Sequence, residues 1–147
     1  AAARPARGGR PDPRGITSVE AVALLCDYGR MRTIVVVDDH PTFRATARVL
    51  LEAEGFDVIG EAEDGASALE QVAALRPEVV LLDVQLPDID GFEVAARLQR
   101  NGERSQIVLT SSRDAADFGT LVERSGARGF VPKDELSGAA IAALLDA

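Results

Sequence analysis

Residues 33–60 read TIVVVDDHPTFRATARVLLEAEGFDVIG, and the order of patterns within them decides the fold. An apolar run at 33–37 has the length of a strand and ends in two adjacent acids, Asp38 and Asp39. Pro41 then stands just before an amphipathic stretch at 42–54, where its missing N–H costs a helix least. Gly55 follows in the position of a helix C-terminal cap. A second strand at 57–60 rests on Val58 and Ile59 alone. The unit is therefore strand, helix, strand.

Working outward, the alternation continues to the end of the chain. Further strands are expected at 78–82, 106–111 and 129–131, and further helices near 65–75, 92–100, 115–125 and 136–145. Five such repeats in about 115 residues argue for an α/β fold, a doubly wound five-stranded parallel sheet with helices on both faces. Right-handed crossovers make 2-1-3-4-5 the expected strand order, and ligands then bind beyond the carboxyl ends of the strands beside the first one.

Bulk composition agrees. Of 147 residues 46% are apolar and only 4% aromatic, so the core is built from Ala, Val and Leu, as in covered parallel sheets. The formal charge of -8 argues against an extended phosphate-binding surface on this chain and hence against nucleic-acid contact. A single cysteine, Cys26, excludes an internal disulfide framework and makes a reducing cytoplasm the expected location. No apolar run approaches the roughly 18 residues needed to span a bilayer.

The composition changes near residue 31. Residues 1–15 contain only Ala, Arg, Gly, Pro and one Asp, a mixture that buries little surface. Residues 16–28 could form a short amphipathic helix, with Glu20 and Asp27 arguing against a secretory signal. The expected division is a disordered or partly helical extension over 1–30 and a folded domain over 31–147. Met31, the only methionine, leaves two readings open: it is the natural start, or the extension is a genuine N-terminal arm. Residues 31–147 carry 11 basic and 21 acidic groups, so the domain is more acidic than the whole chain.

The chemistry gathers at the strand ends. The first strand ends in Asp38 and Asp39, the third in Asp83, the fourth in Ser111, and the fifth leads to Lys133. Taken singly, such acids are more often helix caps or solvated loop residues than functional groups. Adjacent carboxylates repel, and a hard divalent cation such as Mg²⁺ compensates them with oxygen ligands. A carboxylate can attack phosphorus to give an acyl phosphate, and phosphoryl transfer also needs a metal, a cation and hydrogen-bond donors. Fifteen of the sixteen basic residues are Arg, yet the one at this edge is Lys133, a compact point charge that a guanidinium fork does not replace.

VVVDDHP, LLDVQLPDIDG, VLTS and GFVPK, with their spacings, resemble the response-regulator receiver family of two-component signalling across essentially all of residues 33–146. Asp39 and Asp83 are 44 residues apart, as in that family, and Pro87 and Gly91 match its loop after the acceptor aspartate. Thr110, Ser111 and Ser112 are all hydroxylated; the family spacing of 22 residues before the lysine selects Ser111, and strand alternation turns Thr110 the other way.

The resemblance implies a flavodoxin-like fold and a phosphorelay role. Asp83 would accept a phosphoryl group from a histidine kinase or phosphotransfer protein. Asp38, Asp39, Asp83 and the backbone carbonyl of Gln85 would hold Mg²⁺. Ser111 and Lys133 would contact the phosphoryl group, and Phe130 matches the aromatic switch position, its plain alternative being core packing. The face of the fourth helix, fifth strand and fifth helix would then meet a downstream protein, with homodimer formation on phosphorylation as a further option. Arg113, two residues after Ser111, is read as a shield of the acyl phosphate against water. His40 reads as a loop or helix-start residue and Cys26 has no evident chemistry. The chain would be no enzyme beyond promoting its own phosphorylation and dephosphorylation.

Two rival functions fit the residues less well. A haloacid dehalogenase-type phosphohydrolase also uses a strand-end Asp with Mg²⁺, but its nucleophile lies near the first strand and is followed two residues on by an acid, where this chain has Gln85. A non-phosphorylated pseudo-receiver gains nothing from a sequence in which every reactive position is filled. A dinucleotide site fails for want of a GxGxxG turn. On these residues a single-domain regulator acting through protein contacts is favoured over a piece of a longer DNA-binding regulator.

Overall fold

The computed structural model describes residues 31–147; the expected extension, its helix over 16–28 and Cys26 lie outside the described residues. Arg32–Ala147 forms one compact unit. Its strands are β1 (Arg32–Val37), β2 (Phe56–Ala62), β3 (Val79–Asp83), β4 (Gln106–Ser111) and β5 (Gly129–Pro132). The helices are α1 (Pro41–Ala53), α2 (Gly65–Leu75), α3 (Gly91–Arg100), α4 (Leu121–Arg124) and α5 (Gly138–Leu145). The strands form one sheet in the order β2-β1-β3-β4-β5, and every neighbouring pair is parallel. This is the doubly wound α/β fold expected from the sequence.

Period-2 alternation divides the strands between two cores. Val35, Val37, Val80, Leu82, Ile107 and Leu109 pack with Ala68 and Val72 of α2 and with Val94, Ala95 and Leu98 of α3. Ile34, Val36, Val79, Leu81 and Val108 pack on the other side with Ala47 and Leu51 of α1 and with Ile141 and Leu145 of α5. Because both faces are covered, β1 and β3 read as continuous apolar runs.

Pro41 opens α1 as expected, and Gly55, at φ 97°, lets the chain leave that helix. The second strand is longer than Val58 and Ile59 alone indicated. Pairing with β1 extends it to Ala62, with an irregularity opposite Ile34/Val35. The fourth helix differs most. Residues 115–125 do not form one helix: a 3-10 turn (Ala115–Phe118) gives way at Gly119 to the single helical turn of α4. Gly119 has φ 59° and ψ -127°, a backbone state essentially closed to residues with a Cβ, and it interrupts the helical pattern. Residues 133–135 are likewise a separate 3-10 turn, so α5 begins only at Gly138, after its cap Ser137.

Candidate functional site

The carboxyl ends of β1, β3, β4 and β5 bring the candidate residues to one edge. Asp38 and Asp83 are 0% and 2% exposed, exceptional for carboxylates, which rarely go inside without compensation. Between them stands the Lys133 ammonium, 2.6 Å from Asp38 Oδ2 and 3.3 Å from Asp83 Oδ2. Lys133 Nζ also lies 4.6 Å from the centre of the Phe43 ring, a cation–π contact from the first turn of α1.

Backbone groups orient the acids. Asp38 Oδ1 accepts from the His40 N–H at 2.8 Å, and Asp83 Oδ1 accepts from the Gln85 N–H at 3.1 Å. His40, the N-cap residue of α1, keeps a largely exposed ring whose Nδ1 lies 3.1 Å from Asp38 Oδ1 and 3.0 Å from Asp39 Oδ1. It is thus a helix-start residue, as expected, and also a neighbour of the acidic pair.

One ammonium faces the two buried carboxylates of Asp38 and Asp83, and the titration of Asp83 and Lys133 reflects it. Burial pushes the Asp83 carboxyl from 3.8 up to about 6; the Gln85 N–H opposes this, the Asp38 charge adds to it, and Lys133 opposes it again. For Lys133 burial favours the neutral amine, but the Asp38 and Asp83 carboxylates prevail and its pKa is raised.

Asp38 Oδ2 and Asp39 Oδ1 are buried acceptor atoms without an aligned hydrogen bond, their cationic and imidazole neighbours meeting them only as ion-pair contacts. Ligand atoms of Asp38, Asp39, His40 and Asp83 lie within 4.8 Å of one another. Hard oxygen donors in excess of the local positive charge, two of them lacking an aligned donor, suit a hard divalent cation.

Ser111 and Thr110 separate as strand alternation requires. Both are fully buried, but the Thr110 hydroxyl donates to Val131 O at 2.7 Å on the neighbouring strand. Ser111 Oγ accepts from the Arg113 N–H at 3.1 Å, at the last position of β4, beside the strand that ends in Asp83. Phe130 pairs with Leu109 in the sheet, is half-buried against the core shared with α2 and α3, and its ring centre is 5.9 Å from that of Phe118. Phe118 meets Phe92 of α3 at 5.6 Å. Arg113 engages the same aromatic group: its guanidinium lies 5.8 Å from the Phe118 ring centre and 3.7 Å from Asp117.

The loop after Asp83 is fixed from two directions. A Cβ on Gly91 would lie 2.4 Å from the Asp83 carbonyl oxygen, so only glycine allows this approach, and the Gly91 N–H donates to Val84 O at 2.7 Å. Asp88 accepts from the Gly65 and Ala66 N–H groups at 2.7 and 2.9 Å, tying the loop to the N-terminus of α2. These backbone bonds hold its carboxyl down at about 2. Asp88 and Phe43 were not singled out from the sequence. Each acts on an element distant along the chain, and no local pattern marks that.

A doubly wound sheet with buried carboxylates and one ammonium at its switch-point edge holds the kinds of group that phosphoryl transfer uses. Comparison with known proteins specifies the family. The response regulator receiver domain matches residues 34–145. The chain is 40% identical over 102 residues to the transcription regulator BvgA of Bordetella pertussis, covering 69% of this chain and 49% of that protein. It is 39% identical over 114 residues to the transcriptional regulatory protein NarL of Mycobacterium tuberculosis, covering 77% and 53%. The solved receiver domain of that NarL superposes with a TM-score of 0.72 at 37% identity, over 79% of this chain and 94% of that one. The chain belongs to the response regulator receiver family of two-component signalling. It spans about half the length of the curated relatives it matches. The phosphohydrolase and pseudo-receiver alternatives find no support in these matches. Among the described residues, no helix is long and apolar enough to cross a membrane.

Proposed function

We propose that Asp83 is the phospho-acceptor of a phosphorelay and that residues 31–147 are the working receiver unit. The observation that carries this reading is the Lys133 ammonium set between the buried Asp38 and Asp83 carboxylates. Asp38, Asp39, Asp83 and the backbone carbonyl of Gln85 would hold Mg²⁺, which neutralises charge on the phosphoryl oxygens when bound. An Asp83 oxygen attacks phosphorus as the P–N bond of a phosphohistidine breaks, and the imidazole leaves with the bonding pair. A carboxyl displaced upward by burial is still ionised at neutral pH, and poorly solvated, which favours attack.

Lys133 then pairs with a phosphoryl oxygen, and the Ser111 hydroxyl donates to another. As Ser111 is drawn toward the new charge, Phe130 follows, and the face of α4, β5 and α5 changes toward a downstream protein or a second copy of the chain. The donor is a histidine kinase or phosphotransfer protein, and the site is cytoplasmic. The chain catalyses only its own phosphorylation and dephosphorylation. Relatives that regulate transcription, among them the DNA-binding activator EvgA of Escherichia coli, suggest that the switch ultimately governs DNA-bound output. The acidic receiver itself does not contact the nucleic acid.

The reading is tested by incubating the protein with acetyl phosphate and Mg²⁺ and measuring intact mass. A phosphoryl adduct that EDTA prevents supports it, and no adduct with acetyl phosphate or a phosphorylated histidine donor rejects it.

A further inference from the structure

A second cation reaches the loop of the acidic pair, through its backbone rather than its carboxylates. Arg44 projects from α1 with only 16% of its side chain exposed. Its Nη1 donates to the backbone carbonyl oxygen of Asp38, the peptide that joins the two acids. Its Nε donates to Glu61 Oε1 at 3.1 Å on β2. Glu61 is itself held by Arg48, whose Nε meets Oε2 at 2.8 Å and whose Nη1 donates to Val58 O at 3.1 Å. The Asp38 N–H donates to Ala62 O at 3.0 Å, so the loop is anchored to β2 on both sides of the Asp38 residue.

We propose that Arg44, held by Glu61, is a positioning residue for the cation site: it fixes the Asp38–Asp39 peptide so that both carboxylates face the ion. This rests on the reading that the strand-end acids hold Mg²⁺. The need is physical. Two adjacent carboxylates repel, and an untethered peptide between them relieves that repulsion by rotating, which turns one ligand away. The guanidinium fork prevents the rotation because one planar group spans a carbonyl on β1's loop and a carboxylate on β2. Partners of ligand-bearing groups commonly set metal affinity through orientation.

Charge and geometry make opposite predictions here. A cation near a divalent ion opposes its binding, so on charge alone removal of Arg44 tightens Mg²⁺. Arg44, however, belongs to a group of two guanidiniums and two carboxylates, with Glu61 paired to Arg44 and Arg48 and Glu52 paired to Arg48, so its distant field is largely balanced. Orientation therefore dominates, and loss of Arg44 weakens binding.

The test is an Mg²⁺ titration followed by amide NMR shifts near Asp38 and Asp83, on the native chain, Arg44→Ala, Arg44→Lys and Glu61→Gln, with thermal melting in EDTA run alongside. Arg44→Ala raises the half-saturating Mg²⁺ concentration about tenfold or more. Arg44→Lys keeps the charge but not the fork and falls between, so it isolates orientation and reports even if Arg44→Ala does not fold; Glu61→Gln, which both frees the guanidinium and removes an anion, weakens binding as well. Unchanged half-saturation with a lowered melting temperature means a structural role only, and tighter binding in Arg44→Ala means charge dominates; either overturns the proposal. A native chain that shows no Mg²⁺-dependent shifts refutes the cation-site reading instead.

Discussion

Replacement of Asp83 by Asn in metal-free protein stabilises the fold, by an amount the environment of this carboxyl sets. Burial pushes its pKa from 3.8 to about 6, so the folded chain holds this proton more tightly than the unfolded one. Such a group favours the folded state most below pH 3.8, and its contribution is lost as pH rises through 6. Above that pH the penalty for ionised Asp83 is about 3 kcal/mol, at about 1.4 kcal/mol for each pH unit of displacement. The attraction of Lys133 already lies within that displacement. Urea unfolding of the native chain and Asp83→Asn in EDTA, from pH 4 to pH 8, measures it. The variant's advantage grows from near zero at pH 4 to about 3 kcal/mol above pH 7, and Mg²⁺ narrows it by binding the native carboxylates. An advantage independent of pH, or one that shrinks as pH rises, refutes the reasoning.

Other perturbations probe neighbouring parts of the structure. Lys133→Met removes the one ammonium facing Asp38 and Asp83 and lowers stability by about 3 kcal/mol in EDTA. Calorimetry should find part of that recovered in Mg²⁺. Leu51→Ala, at a fully buried position between α1 and the sheet, costs about 2–5 kcal/mol in denaturant unfolding and leaves Mg²⁺ binding intact. Gly91→Ala drives a methyl against the Asp83 carbonyl oxygen and Val84 Cα, costing about 1–3 kcal/mol and weakening Mg²⁺ binding through the displaced loop. The Asp88 carboxyl sits at about 2, so its cap on α2 holds above the usual carboxylate range and is lost only as pH falls through 2. Hydrogen exchange at Gly65 and Ala66 stays protected at pH 3.5 in the native chain and speeds up in Asp88→Ala.

The sequence was most informative where local pattern and tertiary role coincide. The apolar runs of β1 and β3 are buried on both faces, and the acids and lysine follow directly from their strand ends. It was least informative where a partner far along the chain decides. Glu61 lies just beyond the strand expected at 57–60, yet pairing with β1 and the two arginines of α1 hold it in β2. The expected helix over 115–125 is split into a 3-10 turn and a single helical turn, because Gly119 breaks it. Arg113 was read as a shield over the acceptor; its partners are Asp117 and Phe118, which became visible only once the 3-10 turn was in place. Phe43 contacts Lys133 from ninety residues earlier in the chain, a proximity only the fold creates.

The central claim is that Asp83, and no neighbouring acid, carries the phosphoryl group. Borohydride reduces an aspartyl phosphate to homoserine, so trapping after acetyl phosphate and Mg²⁺, followed by peptide mapping, locates the acceptor. The account predicts homoserine at position 83 alone and none in Asp83→Asn. Homoserine at position 38 or 39 in the native chain contradicts it.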